Sequence, residues 1–299
     1  MKIDTTKIMI YKVSLGLLAT LGIWVLTMSA SANICVKDDT LKDVCLKKPA
    51  QRIISLAPHT TEMLFSAGAG EKLVGAVDYS DYPEAALEVP RVGSHINFDL
   101  EKILALKPDL IVAWSSGNPT KQVELIQRLR IPIYFTQPQA LSDIPDNINK
   151  LAKLANTKAS AATQGFNQDF QQLKLRYAKK DRIRFFYQIW QAPLMTLNGD
   201  HIFEEVINIC RGDNIFKDLP NLASTVSIEN VLQANPNAII ASGMATEHPE
   251  WLEDWKKFPQ IKAVKNHHLY FINPDTATRP TVRLLQGAQE LCQKLDLAR

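Results

Sequence analysis

Several kinds of chemistry are missing from this chain. No run of Lys or Arg interleaves with aromatics, and over 299 residues the net charge is only +3. A nucleic-acid groove needs such a basic patch, so no nucleic-acid partner is expected. Neither Cys-x-x-Cys nor His-x-x-x-His spacing occurs, which argues against a zinc site and leaves the metal set empty. The Gly-x-Ser-x-Gly elbow, the His-Glu-x-x-His helix and the Walker loop are absent too. "AGAGEKLVG" has neither the spacing nor the preceding strand of a dinucleotide fingerprint. Glu204 and Glu205 adjoin on one helix but point in different directions, poor geometry for a carboxylate pair. An enzyme is therefore not expected, and no resident cofactor is called for.

With 46% hydrophobic and 22% charged residues, the chain can bury a full core and is long enough for two domains. Its N-terminus is different in kind. Lys2, Lys7 and Lys12 precede the apolar run "VSLGLLATLGIWVLTMSASA", which closes on small residues. The stretch Val13 to Met28 is short for a membrane span, and Ala30 with Ala32 fits the small-x-small pattern of a cleavage site. Residues 1–32 thus read as a secretory signal cut before Asn33, with an uncleaved anchor as the alternative. Export gives the cysteines a meaning, because an oxidising compartment favours disulfides. Four cysteines allow three pairings. Proximity selects Cys35 with Cys45 and Cys210 with Cys292.

Beyond residue 50, apolar strands alternate with helices. "RIISLAP", "LVGAVD", "LIVAW" and "IPIYF" read as strands, with helices opening at Thr60, Asp99 and Thr120 and another over "ALSDIPDNINKLAKLANT". Apolar strands separated by helices indicate parallel βαβ units with both sheet faces covered. The segment "KASAATQGFNQDFQQLKLRYAKK" carries Phe166, Phe170, Leu173 and Tyr177 at helical spacing. Then the alternation restarts: "RIRFFYQIW", a helix to Cys210, a helix from Ser227, "AIIASG", "HLYFIN" and a last helix from Pro280. The fold class expected is two doubly wound α/β lobes, residues 33–157 and 181–299, joined by a connector helix at residues 158–180, with the ligand cleft between them.

A short repeat links the halves. "FDLEKILALKPDLIVAW" returns as "VSIENVLQANPNAIIASG", with Glu101 answering to Glu229 at an offset of 229 − 101 = 128. In each copy a capping residue opens a helix, a glutamate falls in its first turn and a proline follows its end. A first-turn carboxylate complements the helix dipole, worth about 0.3–1 kcal/mol, and that alone accounts for either glutamate. A matched pair on opposite lobes also suits a two-fold symmetric partner.

Taken together, "RIISLAPHTTEML", "VDYSDYPEAA", "LEKILALKPDLIVAW", "CRGDNIF" and "IENVL" resemble the cobalamin-binding proteins within the cobalamin and iron-siderophore class of ABC-transporter binding proteins. The resemblance covers nearly all of residues 50–299. It implies a periplasmic protein, a monomer when free, that carries cobalamin or a related corrinoid as transported ligand to a two-fold symmetric ABC permease in the inner membrane. It places the permease-docking glutamates at Glu101 and Glu229, and the cleft residues at Tyr79, Trp114, Asp275 and Arg279. A corrin is a broad, partly apolar disc fringed with amides, which suits aromatic faces with a few polar groups. Asp275 and Arg279 could serve the amides or pair with each other. Trp190, at the end of "FFYQIW", is a further aromatic candidate. His95 and Ala223 stand where well-known members have tryptophans, and Met195 stands where they have Phe. His95, with Tyr79 and His59, also opens an alternative of the same transporter class: haem, iron-siderophore or metal as ligand.

Overall fold

The computed structural model describes residues 33–242 and 249–299, so the expected export signal at residues 1–32 lies outside them. An antiparallel hairpin comes first, β1 (Ile34–Lys37) and β2 (Asp43–Leu46), with Cys35 directly opposite Cys45 and bonded to it. Asp39 clamps the hairpin to the first lobe: its N–H donates to the Phe135 carbonyl, and its carboxylate accepts from the Gln137 N–H.

The first lobe runs β3 (Ile53–Ser55), α1 (Pro58–Ser66), β4 (Leu73–Ala76), β5 (Gly93–Ser94) and β6 (Asn97–Phe98). It continues with α2 (Leu100–Ala105), β7 (Leu110–Trp114), α3 (Thr120–Arg128), β8 (Ile133–Thr136) and α4 (Asp143–Ala155). Helix α5 (Ala161–Tyr177) comes next, opened by the Ser160 hydroxyl, which accepts from the Thr163 N–H. The second lobe begins with β9 (Ile183–Gln188), β10 (Met195–Leu197), α6 (Phe203–Ile209), β11 (Gly212–Asn214), β12 (Ala223–Thr225), α7 (Ile228–Ala234) and β13 (Ala238–Ala241). A 3-10 stretch (Glu250–Lys257), α8 (Lys262–Lys265), β14 (Leu269–Phe271), α9 (Pro274–Ala277) and α10 (Leu284–Leu297) complete it.

Each lobe is built on a four-stranded parallel sheet, ordered β4-β3-β7-β8 in one and β11-β9-β13-β14 in the other. The order is the same in both, second-first-third-fourth. The cause lies in the strands: "IIS" and "AIIA" are buried along their whole length, and "LIVAW" is buried up to Trp114. Such runs leave no face for water and need helices on both sides.

Three apolar clusters result. One lies in the first lobe around Ile54, Ile111, Ile103 and Ile126, and one in the second around Phe186, Ile239, Val231 and Trp255. The third is continuous through both lobes, from Ile53 and Tyr134 through Phe166, Phe170, Leu173 and Tyr177 of α5 to Phe185 and Leu291. Helix α5 packs on α4 on one side and on α6 and α10 on the other, so it bridges the lobes with its buried stripe. A disulfide between Cys210 and Cys292, with Cα atoms 4.7 Å apart, ties the end of α6 to α10.

The repeat is conformational as well as verbal. Asp99 caps α2 by accepting from the Lys102 N–H, and Ser227 caps α7 by accepting from the Asn230 N–H. Beyond each helix a non-glycine residue turns left-handed just before the proline, Lys107 at φ 46° and Asn235 at φ 47°. β7 and β13 then start at equivalent positions, 238 − 110 = 128.

Several boundaries differ from expectation. Helix α1 opens at Pro58, not Thr60, and the Thr60 hydroxyl instead accepts from the Ala57 N–H at 3.1 Å. Helix α10 opens at Leu284 instead of Pro280, with Arg283 at its N-cap; Arg279 and Arg283 are both in ion pairs with Glu62. β9 stops at Gln188, so Trp190 lies beyond it. The pairs β1–β2, β5–β6 and β10–β12 and the edge strand β11 were not expected; they are two to four residues long, too short for periodicity to register.

Candidate ligand cleft

In each sheet the winding reverses between its first and third strands, β3 and β7 in one lobe and β9 and β13 in the other. Loops leaving the carboxyl ends of such a pair diverge and leave a crevice. In the first lobe one side chain organises that place. Asn118 accepts from the Trp114 N–H at 2.7 Å and donates to the carbonyls of Leu56 at 2.9 Å and His95 at 3.0 Å. The end of β7, the end of β3 and the β5–β6 turn are thereby held together. Gly117 makes room beside them: a Cβ there would fall 1.9 Å from the Trp114 ring.

Two imidazoles flank the indole. His59, at the start of α1, meets Trp114 edge-on with centroids 5.3 Å apart, and His95 lies tilted at 6.3 Å. Although His59 opens a helix, it is not a surface residue; it is 5% exposed, and its Nε2 is buried without a hydrogen-bond partner. Burial, then the positive charge of Arg279, then His95, lower its pKa to about 3, so it is neutral at physiological pH.

Around this wall runs an ion network that crosses from one lobe to the other. Arg279 pairs with Glu62 and Asp81, each at 3.0 Å, and with Asp275 at 2.8 Å. Its guanidinium also donates to the Tyr79 carbonyl at 3.5 Å. Arg283 grips both oxygens of Glu62, at 2.9 and 2.6 Å, and stacks over the Tyr82 ring at 3.9 Å. Glu62, with a side chain 2% exposed, sits at the centre. It belongs to α1, whereas both arginines stand between α9 and α10. Burial works to lower the pKa of Arg279, but Asp275 and then Glu62 and Asp81 more than offset it, and the net shift is upward. Asp275 is pushed up by burial against the opposing pull of Arg279.

The expected cleft residues fall into two groups, His95 with Trp114 and Tyr79 with Asp275 and Arg279, and each group meets α1, the first through His59 and the second through Glu62. Asp275 and Arg279 pair with each other, the second of the two options left open for them. Tyr79 is 76% exposed, at φ 61°, and its carbonyl is what touches the network. Trp190 and Met195 are bridged to each other in the second lobe, and the Trp190 Nε1–H donates to the Ala192 carbonyl. Among the described residues no hydrogen bond, ion pair or ring contact joins these two to the others. Glu62, Asp81, Arg283 and Asn118 were not foreseen. A signal existed for Glu62, because an acid inside the buried stretch "PHTTEMLFS" must find a cation; which cation lay 217 residues away.

Two cavities lie elsewhere. One of about 270 Å³, at the carboxyl ends of the second lobe, is lined by Gln188, Leu194, Ile228, Trp251, Trp255 and Phe258 among others. The other, about 430 Å³, opens beside α5 between Phe170, Lys174, Leu141 and Ile209.

Glu101 and Glu229 are exposed, and among the described residues neither forms an ion pair. The pKa of Glu229 is lowered by its own backbone N–H and then by the Ser227 hydroxyl. Helices α2 and α7 each lead into a parallel strand, so both begin at the carboxyl edge of their sheet, the edge that holds the crevices.

Two α/β lobes of one topology, bridged by a helix, with aromatic and charged residues gathered where strand ends leave a crevice, define a binding protein for small solutes. Residues 53–276 match the family described as periplasmic binding protein, and this chain belongs to that family. Its relatives include the vitamin B12-binding protein of Vibrio cholerae serotype O1, 41% identical over 252 residues that cover 84% of this chain and 91% of that protein. The crystal structure of the periplasmic vitamin B12-binding protein BtuF of Vibrio cholerae is 39% identical, covers 84% of this chain and 98% of its own, and aligns with a TM-score of 0.75. The haem-binding protein BhuT in complex with two haems shares the fold, with a TM-score of 0.74 at 18% identity over 84% of this chain and 100% of its own.

Proposed function

We propose that this protein captures cobalamin, or a closely related corrinoid, between its lobes and delivers it to an ABC-transporter permease, without chemical turnover. The observation that carries the proposal is the inter-lobe network of Arg279 and Glu62 beside the His59–Trp114–His95 wall, the two meeting on α1, in a chain 41% identical to a vitamin B12-binding protein. Trp114 and the Tyr79 ring offer flat apolar surface to the disc, and the Arg279 network offers polar groups to its amides. Residues 1–32 act as a cleaved export signal, and the mature monomer works in the periplasm as lobes 33–157 and 181–299 about a connector at 158–180. Glu101 and Glu229 dock onto basic residues of two symmetric membrane subunits. A rigid frame gives two such contacts a high effective concentration, so losing either weakens assembly more than one surface ion pair would.

The test is calorimetry of the purified protein with cyanocobalamin, haem and a ferric siderophore side by side. Saturable cobalamin binding with no response to the other two is the expected result. Haem binding alone would favour the alternative ligand, for which the imidazole of His95 is the candidate iron donor.

A further inference from the structure

We infer that His95 is an axial ligand for cobalt: its imidazole coordinates the metal of a bound corrinoid whose axial position holds an exchangeable water. This rests on the corrinoid reading above and narrows it to a preferred form of cargo.

The argument starts from what holds His95. It sits in the turn between β5 and β6, beside the end of β7, and its carbonyl accepts from Asn118 Nδ2 at 3.0 Å. That same Asn118 binds the Trp114 N–H, so the backbones of the histidine and the tryptophan are set by one side chain. The imidazole itself is half-buried and makes no hydrogen bond or ion pair among the described residues; its neighbour is the Trp114 ring. A fixed backbone carrying an uncommitted nitrogen is what a metal ligand needs.

Most other donors nearby are enclosed or committed. His59 is enclosed against Trp114, with its Nε2 buried. Asp275 and Asp81 are paired with Arg279, and Glu62 with both arginines. All four cysteines are in disulfides. The corrin is flat, and its metal accepts ligands only along the perpendicular, so a donor must stand in a wall that the disc faces. His95 and Trp114 form such a wall at the carboxyl end of β7. Imidazole is a good donor for late first-row metals. In the exchange the cobalt–water bond breaks, the lone pair of a neutral imidazole nitrogen forms the cobalt–nitrogen bond, and water leaves to solvent. No electron is transferred.

The experiment titrates the purified protein with aquocobalamin and, separately, with cyanocobalamin, following the visible spectrum and the affinity of each. Cyanocobalamin, whose upper position is blocked by cyanide, reports whether corrinoids bind at all; aquocobalamin reports the coordination. Expected is a change in the aquocobalamin spectrum on binding that matches the change free imidazole produces, with none for cyanocobalamin. His95→Ala and His95→Gln should abolish that change and reduce the ratio of aquocobalamin to cyanocobalamin affinity by about tenfold or more. If bound aquocobalamin keeps its free spectrum, or if the change survives both substitutions, the inference is overturned while the corrinoid reading stands. If neither cobalamin binds, the corrinoid reading fails and takes this inference with it.

Discussion

The two lobes share a strand order, a capped helix and a left-handed exit before proline, yet differ at the place where ligand chemistry is expected. In the first, the crevice between β3 and β7 is occupied by the chain's own Trp114, His59 and Asn118. In the second, the corresponding region keeps a cavity of about 270 Å³ lined by Trp251, Trp255 and Phe258. The second lobe's contribution to the inter-lobe ion network comes instead from Arg279 and Arg283, after its last strand. A common frame therefore does not imply common chemistry. What leaves the strand ends is free to diverge, because the buried strands carry the stability of each lobe.

The largest expected effect contrasts the two disulfides. Cys210 and Cys292 are 82 residues apart and Cys35 and Cys45 only 10. On the chain-entropy estimate, the first pair contributes about 4–5 kcal/mol and the second about 2–3 kcal/mol. Denaturant unfolding of the paired Ser variants should show that order, and equal losses would remove loop length as the reason.

Glu62→Ala attacks the inter-lobe network. Such a network is weak evidence for net stability, but removing its central carboxylate takes from the largely buried Arg283 its one carboxylate partner among the described residues, while Arg279 keeps Asp81 and Asp275, so the cost should be about 3 kcal/mol. An unchanged unfolding midpoint would show that the lobes do not depend on it.

Acid should act through the first lobe's buried imidazole. His59 takes up its proton near 6.5 when unfolded but only at about 3 when folded, so the unfolded state binds more protons throughout that window. The contribution is full above pH 6.5 and is lost as pH falls. Between pH 6.5 and 5 the loss should be about 2 kcal/mol. His201 in the second lobe, lowered to about 4 by burial, acts in the same direction. His59→Gln should flatten the pH dependence of the melting temperature by about one proton; an identical slope would exclude His59 as the group responsible.

Ligand binding offers a finer contrast between lobes. Trp114→Ala should weaken cyanocobalamin binding by about 1–3 kcal/mol, the scale of one large aromatic contact. Trp190→Ala should cost less, since among the described residues no hydrogen bond, ion pair or ring contact joins Trp190 to Trp114 or to the Arg279 network. A reversal measured by calorimetry would move the ligand toward the second lobe.

Smallest in the isolated protein, and largest in cells, is the effect of Glu101→Arg combined with Glu229→Arg. Both carboxylates are exposed and, among the described residues, outside any ion pair, so stability should change by less than about 1 kcal/mol. Vitamin uptake should be lost. Normal transport would leave the repeat as a record of ancestry and helix capping.

Much of this molecule was legible one residue at a time. Continuous apolar runs such as "LIVAW" and "AIIASG" dictate buried parallel strands, and Phe166, Phe170, Leu173 and Tyr177 dictate the buried stripe of α5, because burial on two faces or on one stripe leaves a period in the sequence. Capping by Asp99 and Ser227 was equally local. The ion network was not: Glu62 advertises its need for a cation, but Arg279 and Arg283 stand 217 and 221 residues away, and no local pattern encodes a partner at that distance. The seclusion of His59 escapes the sequence for the same reason. A histidine at a helix start is ordinarily solvated, and only the closing of Trp114 over it, permitted by Gly117, removes water and holds the ring neutral. Periodicity and caps are properties of neighbours in the chain, and they determined the lobes; charge pairing and desolvation are properties of neighbours in space, and the site waited on the tertiary structure.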